Sequence, residues 1–326
     1  MAPGALLARS VRPAHRTLLL GALLATLSCG GEVLNLGASP LEAGGAGATG
    51  GAVSRVWDVN PTPVLPQEDR EQLSNPTLTG DAAALYYSSQ LRGSDTPVSI
   101  KMATRGASGF GSWVELELGD SDPFGPSSPA VSTKGDELWF SLLGASTGHT
   151  EVWHSVGVGA AWATPTLVTE LNHPDGDTAA RPPAVNGTIM PLSSKRKGGV
   201  YYQIYFSERA AAGSPWSQPH QNGLTGINSS EFQSADGFLS DNGLDLYFAS
   251  TRDGEHADND LYVARRSAIG ADFGAPQPLV DLNDPVAGKP SDERMPWLSP
   301  DGSQLYFVSN RSGHYTLYVA TKLSRN

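Results

Sequence analysis

The sequence predicts an all-β fold: a five-bladed β-propeller of four-stranded blades, its ring closed by the N-terminal strand. Composition is the first ground. The 326 residues include 37 Gly and 24 Pro and are only 17% charged, against about 25% in an average soluble domain. Such a chain favours short strands and turns over long surface helices. Second, one pattern recurs five times in register. Third, the last copy lacks a strand that a segment ahead of the first copy can supply. Hydrophobic residues at 39%, with 7 Trp, 10 Tyr and 9 Phe, suffice for a core and exclude wholesale disorder.

Residues 1–28 read as a lipoprotein signal peptide. Arg9, Arg12 and Arg16 form a basic start, and Thr17 to Leu27 is an uncharged, mostly apolar run. A membrane-spanning helix needs about 20 residues, whereas a signal core is this short. The run ends in Leu27-Ser28-Cys29-Gly30-Gly31, which resembles a bacterial lipoprotein cleavage site, with a small residue before the cysteine. Cys29 is the chain's 1 cysteine, so it is the expected lipidation site, and a disulfide within the chain or a cysteine-built zinc cluster is excluded. A cysteine carrying three acyl chains anchors a protein stably. The alternative is an ordinary secretory signal with an incidental cysteine. Residues 29–52, rich in Gly and Ala, read as a flexible tether. In lipoproteins, Gly30 rather than Asp after the cysteine implies the outer membrane, with a periplasmic or surface-facing domain. Cutting residues 1–28 removes three Arg and no acid, moving the formal net charge from −11 to −14. That balance excludes a nucleic-acid partner, which draws on Lys and Arg against phosphates.

Residues 53–326 repeat themselves. Pro76, Pro129, Pro183, Gly237 and Pro296 fall 53, 54, 54 and 59 residues apart, and nine residues after each stands Leu85, Leu138, Leu192, Leu246 or Leu305. Between them lie turn residues such as Gly135-Asp136, Asn242-Gly243 and Asp301-Gly302, suited to the positive φ of tight hairpins. A second run follows each copy, beginning at Ile100, Val152, Ile204, Leu261 and Leu317. These runs are β-branched and aromatic, with no helical period. A third landmark is an aromatic opening the next strand: Trp113, Trp162, Trp216 and Phe273. Each unit therefore has four strands, and four-stranded units at this period build a propeller. Blade three lacks the Leu-aromatic-aromatic signature, so an irregular hairpin is expected there. The fifth unit stops after its third strand, while Val56-Trp57-Asp58 precedes the first unit. Pairing the Trp57 strand beside the Leu317 strand closes the ring and leaves no open seam.

The copy Pro296-Trp-Leu-Ser-Pro-Asp-Gly-Ser-Gln-Leu-Tyr-Phe-Val-Ser-Asn-Arg311, followed by Leu317-Tyr-Val-Ala320, resembles the TolB-type, WD-like propeller repeat, as does Leu239-Ser-Asp-Asn-Gly-Leu-Asp-Leu-Tyr-Phe-Ala-Ser-Thr-Arg252. The resemblance covers residues ~55–322. It implies a bacterial envelope protein, often exported or lipid-anchored. TolB itself has six blades and an extra N-terminal domain, so its partners do not transfer.

Fold alone does not assign function. Residues just before the register position start near the axis, so Arg181, Asp236, Glu293 and Arg294 are expected to line one mouth of the channel. They form either a polar ligand site or a salt-bridge network plugging the ring. A glycosidase would need paired carboxylates across the scissile bond. The corresponding positions of blades one to three hold Asn75, Ser128 and Arg181, without a carboxylate, which leaves loop acids such as Asp175 and Asp177. The 7 His show no paired metal-ligand spacing, so neither a metal site nor a catalytic residue is assigned. The acidic stretch Asp253–Asp260 offers alternating oxygens to calcium but lacks EF-hand spacing, and no cofactor is expected. The expected function is a non-catalytic envelope binding or scaffold propeller. It would be a monomer held to the membrane by its lipid, presenting its loop faces to a protein or glycan. A glycan-active enzyme is the alternative, and an inert structural protein a third.

Overall fold

The computed structural model describes residues 56–66, 70–119, 124–253, 258–283 and 290–324. The expected signal peptide, tether and Cys29 lie outside them. The first strand, β1 (Thr62–Pro63), is an outlier that belongs to the last blade. Blade one is β2 (Glu71–Leu78), β3 (Ala84–Leu91), β4 (Ser99–Gly106) and β5 (Gly109–Glu115). Blade two is β6 (Ser127–Val131), β7 (Glu137–Leu143) and β8 (Thr150–Val158), with β9 (Ala161–Trp162) and β10 (Thr166–Leu167) both on β8. Blade three is β11 (Thr178–Ala180), β12 (Ile189–Ser194) and β13 (Gln203–Glu208). Blade four is β14 (Ser234–Leu239), β15 (Asp245–Ser250), β16 (Asp260–Arg265) and β17 (Gln277–Pro278). Blade five is β18 (Glu293–Leu298), β19 (Gln304–Ser309) and β20 (Thr316–Thr321), completed by β1. Within each sheet the strands pair antiparallel, inner to outer. β18 packs against β2, which brings the fifth blade against the first. This is the all-β, five-bladed propeller the repeats predict.

Closure follows the expected route. Thr62 pairs with Val319 and Pro63 with Tyr318. Val64 N–H donates to Leu317 O at 2.9 Å, and Trp57 forms a further bridge with Lys322. Proline is tolerated at Pro63 because an outermost strand needs donors on one side only.

Two landmarks shift when pairing replaces spacing. In blade three, Met190 pairs with Ser207 as Leu85 pairs with Ala103 and Leu246 with Ala264. Met190, not Leu192, is thus the core residue of the register, and Arg181, nine residues earlier, takes the place of the proline. The prolines at 182 and 183 misled the alignment. The physical reason is a displaced irregularity. The inner strands of blades one, two, four and five each shift register at the bulge (Ser74/Thr77, Ser127/Ala130, Ala235/Phe238, Arg294/Trp297). β11 runs straight through, and Arg181 N–H still donates to Pro191 O. In blade one, Phe110 pairs with Arg105 as Trp57 pairs with Lys322 and Trp162 with Gly157. The aromatic landmark is therefore Phe110, which is buried, while Trp113 is 45% exposed.

Arginines bind blades three, four and five each to the blade before it. Three copies of Ser-x-Arg (Ser194/Arg196, Ser250/Arg252, Ser309/Arg311) close the second strands. In each, Arg Nε donates to the Ser Oγ. Nη2 reaches a carbonyl of the preceding blade's outgoing segment: Leu171 at 2.8 Å, Ile227 at 2.8 Å and Leu282 at 2.7 Å. The next residue of that segment, Asn172, Asn228 or Asn283, bonds both backbone groups of Val152, Ile204 or Leu261. An asparagine side chain thus extends the ladder where the outer strand leaves it. At the ends of the third strands Arg105, Arg209 and Arg266 lie over Phe110, Trp216 and Phe273. Arg209 also forks onto Glu137 of blade two at 2.9 and 2.7 Å.

Blade three departs from this scheme on its outer side. In blades two and four, the residue opposite Trp153 or Tyr262 (Leu167, Pro278) lies five positions before the bridging Asn172 or Asn283. In blade three the outer strand shrinks to one bridge, Phe206 with His220, and Asn228 comes seven positions after Gln221. Two of the intervening residues, Gly223 and Gly226, sit at φ 77 and 78, a conformation that glycine alone adopts at no steric cost. The longer segment swings away from Tyr205 and leaves a cleft of about 540 Å³ beside the 3₁₀ turn Arg196–Gly198.

Candidate functional site: the axis of the ring

Four innermost strands carry a non-glycine residue in the left-handed region at the bulge: Asn75 (φ 52), Ser128 (φ 52), Asp236 (φ 57) and Met295 (φ 56). That conformation costs an L-residue of order 1 kcal/mol. Its structural return is visible. Each bulge aims its N–H at the preceding blade: Ser128 at Ser88 Oγ (3.0 Å), Asp236 at Ser193 Oγ (2.8 Å), Asn75 at Met295 Sδ (3.1 Å) and Met295 at the Asp236 carboxylate. The strain of these four sits at the joints between inner strands.

Of the four residues singled out in the sequence, Arg181, Asp236 and Arg294 come together at the axis. They are buried, at 3%, 6% and 6% exposure. Arg181 Nη2 donates to Pro296 O at 2.9 Å, while its Nε and Asp236 Oδ2 make no hydrogen bond. Arg294 grips Asp292 through Nε at 2.8 Å and through a second, Nη2 contact. Asp292 also accepts from Asn259 N–H, Asn259 Nδ2 and Tyr315 OH. Glu293 stands on the other face of β18. It accepts from Ser291 Oγ (2.6 Å), Ser309 Oγ (2.7 Å) and Arg311 Nη2 (3.2 Å). It belongs to the Ser-x-Arg staple of blade five, not to the axis, because alternate residues of a strand face opposite ways.

The electrostatics follow burial. Burial pushes the Asp236 carboxyl up, and the charges of Arg181 and Arg294 pull only partly against it. Burial acts on Asp292 too, but Arg294 and the donated hydrogen bonds hold it below its ordinary value. Burial raises Glu293 despite Ser291, Ser309 and Arg311. Burial lowers Arg181, with Asp236 opposing. Two cations and two carboxylates thus balance at the axis. At one mouth the channel is sealed by apolar side chains, among them Leu78, Val131, Leu239 and Leu298, around a cavity of only about 20 Å³.

Asp175 and Asp177 lie on the segment between blades two and three. Asp177 accepts from Thr150 N–H at 2.9 Å and from Tyr202 OH at 3.2 Å. Asp175 is exposed. Among the described residues no group of three or more His, Cys, Asp or Glu is placed to hold a metal ion. Four residues of the acidic stretch Asp253–Asp260, numbers 254–257, lie outside the described residues. Sequence reasoning missed Asp292 and Tyr315 and the staples. The staples had a signal in the sequence: Leu171-Asn-His-Pro and Leu282-Asn-Asp-Pro are near copies, and Ser-x-Arg occurs in blades three, four and five.

No family model matches the chain, and no curated protein matches it. Solved structures do resemble it. A hypothetical protein from Leishmania major is 10% identical over 83% of this chain and 91% of that one, with a TM-score of 0.49. A thermostable family-43 glycoside hydrolase is 12% identical over 81% and 94%, with a TM-score of 0.47. A prolyl oligopeptidase B from Galerina marginata is 10% identical over 79% of this chain, with a TM-score of 0.38; the chain spans 35% of that protein's length. The fold rests on the strand pairings above, and these likenesses add nothing about chemistry.

Proposed function

We propose that the protein is a non-catalytic binding propeller of the TolB-like repeat type, presenting loop faces to a protein or glycan of the bacterial envelope. The observation that carries this reading is the state of the axis. A hydrolytic propeller needs carboxylates that reach substrate, spaced for a nucleophile or a water. Here Asp236 and Asp292 are buried and matched by Arg181 and Arg294, which supports a plug that joins blades. The run Leu27-Ser28-Cys29-Gly30-Gly31 supports a lipid anchor at the outer membrane. Such an anchor would join the ring through the strand that closes it.

Two measurements test this. A panel of oligosaccharides incubated with the full chain should show no turnover above a heat-inactivated control; turnover would overturn the non-catalytic reading. Cys29→Ser should move the protein from the membrane to the soluble envelope fraction. Retention in the membrane would overturn the anchor.

A further inference from the structure

The cleft of blade three gathers several polar side-chain groups that the described chain leaves unpaired. Arg196 lines it, 7% exposed, over the Tyr205 ring at 4.7 Å. Its Nε is taken by Ser194 and its Nη2 by Leu171 O, which leaves Nη1 with no partner among the described residues. The hydroxyls of Tyr201, Tyr205 and Ser230 and the amide of Gln221 also line the cleft, and they too have none. Five polar groups therefore converge on about 540 Å³ of open space beside two tyrosine rings. No lining residue is acidic. The one charged residue of the lining is Arg196, a base in a chain of 33 acids and 22 bases.

This chemistry selects a ligand class. Hydroxyls and an amide suit sugar hydroxyls, and tyrosine faces suit sugar rings. An arginine N–H in a low-dielectric wall suits a carboxylate, where a charge-assisted bond is strongest. A peptide strand is disfavoured, because the backbone edge it would add to is occupied. Asn228 holds both backbone groups of Ile204, and His220 exchanges both backbone bonds with Phe206. Burial raises the Tyr205 hydroxyl above its ordinary value, though Arg196 opposes it, so it stays a donor near neutral pH. Resting on the binding reading above and narrowing it, we propose that the blade-three cleft binds a carboxylate-bearing oligosaccharide, its acid group on Arg196 and its rings against Tyr201 and Tyr205.

The test uses the mature protein and three uronate probes: a galacturonate trimer, a mannuronate tetramer and a tetrasaccharide alternating glucuronate with N-acetylglucosamine. Calorimetric titration should show at least one binding. Its methyl ester, with the same sugar rings and no charge, should bind at least about tenfold more weakly, the loss of one charge-assisted bond. Tyr201→Ala and Gln221→Ala, which remove no internal hydrogen bond, should each weaken binding by about fivefold or more with an unchanged melting temperature. Binding of the ester as tight as that of the acid would overturn the proposal, as would indifference to both variants. If no uronate binds, the cleft assignment falls while the non-catalytic binding reading stands. If a uronate is cleaved, and Tyr201→Ala abolishes its binding, the cleft assignment stands and the non-catalytic reading falls.

Discussion

The axis and the blade-three cleft are both built on a buried arginine, and they end as opposites. Arg181 faces Asp236 in a sealed centre where two cations meet two carboxylates. Arg196 lies in a wall with no acid, beside hydroxyls and an amide that nothing in the described chain satisfies. The contrast lies in how the repeat is kept. At the axis every blade contributes an inner strand, so charged groups meet counter-charges or carbonyls from other blades. At the rim of blade three the outer strand is reduced to one bridge and two residues are added, so a wall is exposed that blades two and four cover. Where the repeat is kept, polarity serves joints; where it breaks, polarity is left for a ligand.

The largest expected effect lies at the axis. Arg181→Met leaves Asp236 buried with a diminished counter-charge. The two interact without direct contact, so removing one charge should cost about 3 kcal/mol, the low end for a broken buried pair, and the urea midpoint should fall steeply. Adding Asp236→Asn should recover part of the loss, because the uncompensated charge goes with it. A single variant that loses under about 1 kcal/mol would mean that Arg181 and Asp236 do not hold one another, and the contrast with the cleft would weaken.

Next comes the seam between blades two and three. Burial alone would raise the Glu137 carboxyl, but His154 at 3.4 Å, the two hydrogen bonds from Arg209 and the Arg209 charge bring it down from 4.5 to about 2. A carboxylate whose folded pKa lies below its unfolded one adds stability above the unfolded value. That stability drains away as pH falls from about 4.5 toward 2. Arg209→Met should cost about 2 kcal/mol at pH 7, the pair being partly exposed. It should also flatten the acid limb of stability against pH. An acid limb as steep as in the wild type would assign that limb to other carboxylates. A smaller loss, about 1–2 kcal/mol, is expected for Arg252→Met. It removes the Ile227 and Ser250 hydrogen bonds and the stacking on Phe248 and Tyr262, but strands no buried acid. Denaturation followed by tryptophan fluorescence would rank the three.

The sequence made the ring legible because a repeat states each strand five times. Leu85, Leu138, Leu246 and Leu305 needed no structure to be placed. It misplaced Leu192 for Met190 and Trp113 for Phe110 for a physical reason. Spacing from a proline or a tryptophan tracks composition, whereas position in a sheet is set by which backbone groups pair. An irregularity displaced past the end of β11, between Ala180 and Ala184, breaks that link. The site was legible only in part. Asp236 and Arg294 precede register positions, Arg181 occupies one, and the three converge, but Glu293 is one residue along the same strand from Arg294 and faces the other way. Asp292 and Tyr315 were invisible because nothing local marks a partner from another strand. The cleft was hidden because it arises from two extra residues between Gln221 and Asn228, a departure seen only once blades are laid on one another.

The smallest expected effect on stability is the one that sharpens the comparison most. Tyr201 and Gln221 make no hydrogen bond within the described chain and are not fully buried. Replacing either by Ala should shift the urea midpoint by no more than about 0.5 kcal/mol, the range of surface changes away from packed features. In the axis, by contrast, any polar residue removed should be felt in stability. A cleft side chain that proved as costly to remove as Arg181 would be serving the fold, and the division between a sealed centre and an open rim would fail there. A cleft side chain that is silent in stability, yet whose loss weakens uronate binding, would be a polar group kept for something outside the chain.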